Sequence, residues 1–197
     1  MRRSLNIETS DRLSHVRDVA LRLFSSEGYH AVSLRTLAAN VGLSSGSLYT
    51  HIDSKQELLY AIVEKAARSK NDAIKRSISS CTCRTQELAA FIRATLNHAT
   101  KERASLLLAS REYGALSKWH QQQIRLIQQE MDSTLMVALR NQSTGLVVTE
   151  ATLKLMTLAI NNILNGYLHL PESIFTTNKA LKIYTAMALA AMKEINE

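Results

Sequence analysis

The chain has 197 residues, 46% of them hydrophobic, and carries a formal net charge of +7. That hydrophobic share supports a substantial core and excludes a disordered chain, while one proline and six glycines favour long helices over many short strands. No window holds the ~18 uncharged apolar residues of a membrane span, and Met1-Arg2-Arg3-Ser4 opens no secretory signal, so a cytoplasmic protein without a membrane partner is expected.

The basic balance suits a polyanionic partner. Basic and acidic side chains nearly cancel over residues 1 to 60, so a nucleic-acid surface there must come from placement rather than bulk charge. Leu13, Val16, Ala20, Leu23 and Phe24 follow helical spacing, and Gly28 ends that helix as a left-handed cap, with Tyr29 free to pack back over it. Arg2 and Arg3 precede it on what reads as an arm. Ser33 is a good N-cap for a short helix from Leu34 to about Val41. Gly42 supplies a tight turn, Ser44 caps a third helix to about Ile52, and Asp53-Ser54 opens a longer fourth one that ends near Ser79-Ser80. The following loop holds Cys81 and Cys83, whose spacing suits neither a good disulfide nor, without further ligands, a zinc site, so two free thiols are expected.

Helical patterning then resumes over about 85 to 101 and 103 to 113. Ser117 caps a long helix carrying Trp119, Ile124, Ile127, Met131, Leu135 and Leu139 on its apolar face, closed by a polar turn at 141 to 145. Thr149 caps another through Met156, Ile160 and Ile163; Pro171 marks a loop; Thr177 starts the last, which runs to Ile195. The fold class is all-α.

Two short helices around a tight turn, with Ala38 in the first, Gly42 at the turn and Leu48 in the second, have helix-turn-helix spacing. Such a motif lays its second helix in the DNA major groove, N-terminal end foremost. Ser45, Gly46 and Ser47 fit that use, since small residues permit close approach and a helix N-terminus with hydroxyls bonds phosphates or base edges.

Residues about 12 to 59 resemble the DNA-binding domain of the TetR family of bacterial repressors. The resemblance rests on Phe24 with Gly28-Tyr29, Leu37-Ala38, Val41-Gly42-Leu43-Ser44, Leu48-Tyr49-x-His51 and Ser54-Lys55-x-x-Leu58-Leu59; Ile52 stands where the family usually has Phe. It implies a three-helix DNA-binding domain with its arm over 1–56 and a helical ligand-binding and dimerisation domain over 57–197. It further implies that Arg35 reaches a base edge or phosphate, that Ser45 and Ser47 face base edges, and that Tyr49, His51 and Lys55 meet phosphates. Ser33 would present its amide to a phosphate while capping its helix. The partners implied are a palindromic double-stranded operator, a second copy of the chain and a small-molecule effector.

Ala109-Ser-Arg-Glu-Tyr-Gly-Ala-Leu-Ser117 resembles, more loosely, family members that control lipid or sterol breakdown, some of which sense acyl-CoA thioesters. On that resemblance Arg111 or Lys118 would meet a phosphate or carboxylate, and Leu107, Met131, Leu135, Met156, Ile160 and Asn162 would line an apolar pocket. Each apolar residue among them serves equally as core. Asn161, Asn162 and Asn165 bond a ligand, bond across a dimer or face water. A helical-bundle enzyme would need a His-x-x-x-His or Glu-x-x-His pair or a phosphate loop, and none occurs, so no catalytic residue, metal or cofactor is assigned. A ligand-independent architectural DNA-binding protein would need no second domain of this size.

Overall fold

A computed structural model describes the backbone of residues 2–143, 148–171 and 177–194 and the side chains of 12–143, 148–171 and 178–191. Among the described residues it is helical without a strand. The helices are α1 (Arg2–Ser26), α2 (Leu34–Val41), α3 (Ser45–Tyr49), α4 (Lys55–Ser79), α5 (Glu87–Lys101), α6 (Arg103–Glu112), α7 (Lys118–Gln142), α8 (Glu150–Gly166) and α9 (Thr177–Glu194). No described helix is long and apolar enough to cross a membrane. The side chains of Arg2, Arg3 and Thr177, the turn residues Thr144 and Gly145, and Ile195 lie outside the described residues.

The chain divides into two compact units, one of Met1–Ala66 with Ala104–Ile124 and one of Ala67–Arg103 with Arg125–Glu197. The first is built on α1, α2 and α3. Phe24, Leu37, Leu48, Leu58 and Leu59 are fully buried in it, so every short helix contributes an anchor. That matters most for α2 and α3, which are far too short to persist alone in water.

Local chemistry fixes where each helix stops. Gly28 takes φ 91° after α1, and Tyr29 turns back to set its ring edge-on to Phe24 at 5.2 Å. The Ser33 hydroxyl accepts from the Thr36 amide at 3.0 Å and opens α2. At the other end the Gly42 amide donates to Ala39 O and the Leu43 amide to Ala38 O, a paired closure that needs a left-handed residue, here Gly42 at φ 74°. Ser44 caps α3 by accepting from the Ser47 amide, and the Ser54 hydroxyl does the same for the Glu57 amide in α4.

Three features depart from the sequence-based expectation. The arm expected at the N-terminus is helical backbone from Arg2 onward, because residues 2 to 12 contain neither glycine nor proline to halt a helix. α3 ends at Tyr49 rather than near Ile52; the Thr50 hydroxyl bonds Ser47 O and the His51 amide bonds Leu48 O, which tightens the last turn. Trp119 is 59% exposed rather than inward. It stands five residues before Ile124, roughly 140° around the helix from it. Its ring rests instead near Tyr60 and edge-on to the buried His120, which stacks on Tyr60 at 4.1 Å and bonds Glu57 at 3.1 Å.

The second unit packs α5 against α8 and α9, with Phe91, Ile92, Leu96, Leu135, Leu139 and Leu153 buried. Polar ties cross it: Asn71 and Lys75 both reach Glu130, Asn141 donates to Glu87 at 2.7 Å, and Asn161 donates to Asp132 at 2.7 Å. Of the three amides on α8, Asn161 therefore has its partner within the unit, while Asn162 and Asn165 are exposed. Cys81 and Cys83 are free thiols, and the Cys83 sulfur sits 3.2 Å from the Thr85 hydroxyl.

Gly42 is the position where conformation alone decides. An added Cβ would meet nothing within 4 Å, so a substitution there is opposed only by the positive φ. Gly42→Ala is expected to cost about 1–2 kcal/mol and Gly42→Asn less, read as the shift of a urea unfolding midpoint.

Candidate nucleic-acid interface

α3 presents its front end to solvent. Ser45, Gly46 and Ser47 are exposed, Leu48 is fully buried beneath them, and Tyr49 is 57% exposed. A large aromatic left in water next to a buried leucine is not placed there by packing. Nor is Gly46 demanded by the fold: its φ is not positive, and a Cβ would meet only the Ser44 hydroxyl at 3.9 Å. Gly46 lies in the first turn of α3, where the absence of a side chain leaves the backbone open to solvent. The Ser47 hydroxyl lies 2.9 Å from that of Ser44, which orients it at the helix mouth.

Of the other sequence-derived DNA residues, Arg35 is exposed on the first turn of α2, and His51 is half-buried after α3. Ser33 spends its hydroxyl on the cap, shared with the Thr36 hydroxyl at 2.8 Å. All lie in the first unit.

Lys55 has internal partners. Its ammonium donates to Tyr29 O at 2.7 Å and Val32 O at 2.8 Å, lies 3.4 Å from His30 O, and sits 4.4 Å from the centre of the Tyr29 ring. Burial holds its pKa below the usual lysine range, against the opposing pull of Glu112. Burial, with the Glu112 carboxylate second, raises that of the Tyr29 phenol. Arg111 is also engaged internally. Its guanidinium donates to Phe24 O, lies 3.4 Å from Ser25 O and pairs with the buried Glu112 at 2.9 Å. Cations on the last carbonyls of α1 complement its negative end. These two ties escape a sequence reading because they span 26 and 87 residues and follow no local period.

In the second unit an apolar cleft of roughly 220 Å³ lies among α5, α8 and α9, lined by Ile92, Met156, Ile160, Tyr184, Met187 and Ala188 among others. Met156 and Ile160 are thus the two sequence-derived pocket residues on its wall. Met131 and Leu135 are buried but do not line it, Asn162 is exposed away from it, and Leu107 and Arg111 belong to the first unit. Among the described residues no cluster of His, Cys, Asp and Glu could hold a metal ion.

Residues 16–62 match the family model for bacterial regulatory proteins of the tetR family. The HTH-type transcriptional regulator AcrR of Shigella flexneri is 38% identical over 64 residues, covering 32% of this chain and 30% of that protein. The chain therefore matches less than a third of that relative's length. A tetR-family regulatory protein from Rhodococcus RHA1 superposes over 92% of this chain and 96% of its own, with TM-score 0.83 and 22% identity. AibR, solved in complex with isovaleryl coenzyme A and operator DNA, superposes over 90% and 96%, with TM-score 0.75 and 18% identity. At these identities the structural likeness establishes the fold.

Lys55→Met removes hydrogen bonds from a charged donor and is expected to destabilise the protein by about 1–3 kcal/mol, seen in urea unfolding. DNA titrations of the folded variant across salt concentrations separate this from a phosphate contact. A salt slope shallower by about one marks a lost phosphate, and an unchanged slope leaves the internal tie alone.

Proposed function

We propose that the chain, whose residues 16–62 match the tetR family model and whose fold is that of TetR-family structures, is a DNA-binding regulator of that family, a dimeric repressor released from its operator by a small apolar ligand. The reading head is assigned to residues 1–56 and the ligand-binding and dimerisation functions to 57–197. The observation that carries the reading is the front of α3: small exposed residues and an exposed Tyr49 set on a buried Leu48.

In this reading Ser45 and Ser47 face base edges, Gly46 lets the backbone approach, and Tyr49 and His51 meet phosphates together with Lys55. Arg35 reaches a base edge or phosphate from α2, and Ser33 offers its amide. Tyr49→Phe is expected to weaken binding to all DNA sequences alike, whereas replacing Ser47 by Ala changes which operator is preferred. Fluorescence anisotropy against a panel of half-site variants reads both, and unchanged affinity in both variants overturns the assignment.

A dimer is supported by the second unit's exposed apolar residues. Leu155 is 68% exposed and Leu158 58%, and Ile163, Ile183 and Met187 join them on α8 and α9. Water-facing apolar side chains gathered on two helices suit burial against a second copy, and a dimer matches paired half-sites. Leu158→Glu is expected to shift sedimentation from dimer to monomer and to abolish tight binding to a two-half-site operator.

The ligand is proposed to be a lipid-derived acid such as an acyl-CoA. The buried Met156 and Ile160 on the wall of the apolar cleft support this, as does a protein of the same fold seen with isovaleryl coenzyme A. A tenfold loss of DNA affinity needs about 1.4 kcal/mol of coupling, provided the ligand favours the released conformation. Titrating acyl-CoAs of graded chain length and free fatty acids into a protein–operator complex is expected to dissociate it. Release by polar or aromatic compounds alone overturns the ligand class. An architectural protein without an effector would bind DNA unchanged by any of them, its cleft being covered by the second copy.

A further inference from the structure

A second cavity in the same unit has the opposite chemistry. It is a groove of roughly 310 Å³ between α4 and α5, and its walls carry Ser69 and Arg76 from α4 with Arg93, His98 and Lys101 from α5 and Glu102 just after it. We propose that this groove is an oxyanion site that takes a phosphate-bearing small molecule.

The charge pattern makes the case. Arg93 and Lys101 stand eight residues apart on one face of α5, across the groove from Arg76. Four other basic side chains of the unit have partners within it: Lys75 pairs with Glu130, Arg140 with Glu150, Lys154 with Glu150, and Arg103 donates to Leu170 O. None of the three groove cations makes an ion pair among the described residues. Glu102 is the one carboxylate on the wall, so three cations against one anion leave the groove with a net charge that matches a phosphate dianion.

The floor of the groove adds a built element. His98 is buried, and its Nε2 lies 3.1 Å from the Ser69 hydroxyl, which ties α4 to α5. Its Nδ1 is buried with no hydrogen-bond partner, an unmet demand of the kind that buried polar atoms rarely carry. Burial, opposed by Glu102 and then reinforced by Lys70 and Lys101, keeps the ring below its ordinary pKa. With a neutral imidazole whose Nε2–H donates to Ser69, the Ser69 hydroxyl is left to donate to an oxyanion, while the arginines supply charge and paired N–H groups. The groove is separate from the apolar cleft and does not depend on the effector reading above.

The test is calorimetric titration of the full chain, free of DNA, with inorganic phosphate, pyrophosphate and ADP at constant ionic strength set with chloride. Saturable binding of one ion per chain is expected, weakened about tenfold or more in both Arg93→Gln and Arg76→Gln, which corresponds to ~1.4 kcal/mol or more. Arg125→Gln, an equal change of charge at an exposed position outside the groove, is expected to bind as the parent does. Circular dichroism verifies that each variant is folded, and Lys101→Gln serves in place of any that is not. ADP tighter than phosphate makes the natural occupant a nucleotide-like body, and equal affinities make it a bare phosphoryl group; both uphold the site. Absence of saturable binding, or the same loss in Arg125→Gln as in the groove variants, overturns it.

Discussion

The carbonyls that end α1 and line the turn after it are held by two cations, and the placement of α2 and α3 follows from that arrangement. Arg111 takes Phe24 O and Lys55 takes Tyr29 O and Val32 O, with Glu112 buried beside them. Helix ends leave their last carbonyls unsatisfied, and a turn leaves more. Here they are answered by charged donors delivered from the start of α4 and the end of α6 rather than by water. The turn they fix leads directly into the Ser33 cap of α2, and α2 leads through Gly42 into α3. A five-residue helix has no stability of its own, so its position is inherited from this chain of constraints and from Leu48 beneath it.

The second unit is organised by a different balance. Its interior is apolar, yet its helices are tied by charged and amide groups at particular points, Glu130 serving both Asn71 and Lys75 and Asp132 serving Asn161. The two hydrogen-bond donors draw the Glu130 carboxyl below its ordinary pKa, whereas burial raises that of Asp132 against the pull of Lys70. Around these ties lie two surfaces of contrary character, an apolar face on α8 and α9 and a basic groove between α4 and α5. Each is unmatched within the unit, one in hydrophobic contact and the other in charge.

Structure is legible in the sequence where the determining chemistry is local. Ser33, Ser44, Ser54 and Thr149 were legible as caps because a cap is a contact over three residues, and Gly28 and Gly42 because a left-handed turn favours glycine. The apolar stripes of α5 and α8 were legible because burial repeats with the helix. What escaped was of two kinds. Lys55 and Arg111 are exposed-type residues whose partners are distant in sequence, so nothing in their neighbourhoods distinguishes an internal tie from a surface contact. Trp119 and Ile163 sit at the margins of apolar stripes, where periodicity cannot tell a core position from one left facing water. The pairing of 104–124 with the first unit was likewise hidden, since helical spacing records which face is apolar but not what covers it.

Trp119 is the sole tryptophan of the chain, and its surroundings give the protein an internal light source at a known address. The indole is more than half in water, yet within 6 Å, centre to centre, of the Tyr60 and His120 rings. Its emission therefore reports on one junction, where the start of α7 meets α4 within the first unit. Rearrangement of that junction changes the indole's contact with water and with its two ring neighbours. The fluorescence of the unmodified protein thus follows the first unit in particular, and any effect of a ligand on it can be watched without attaching a dye.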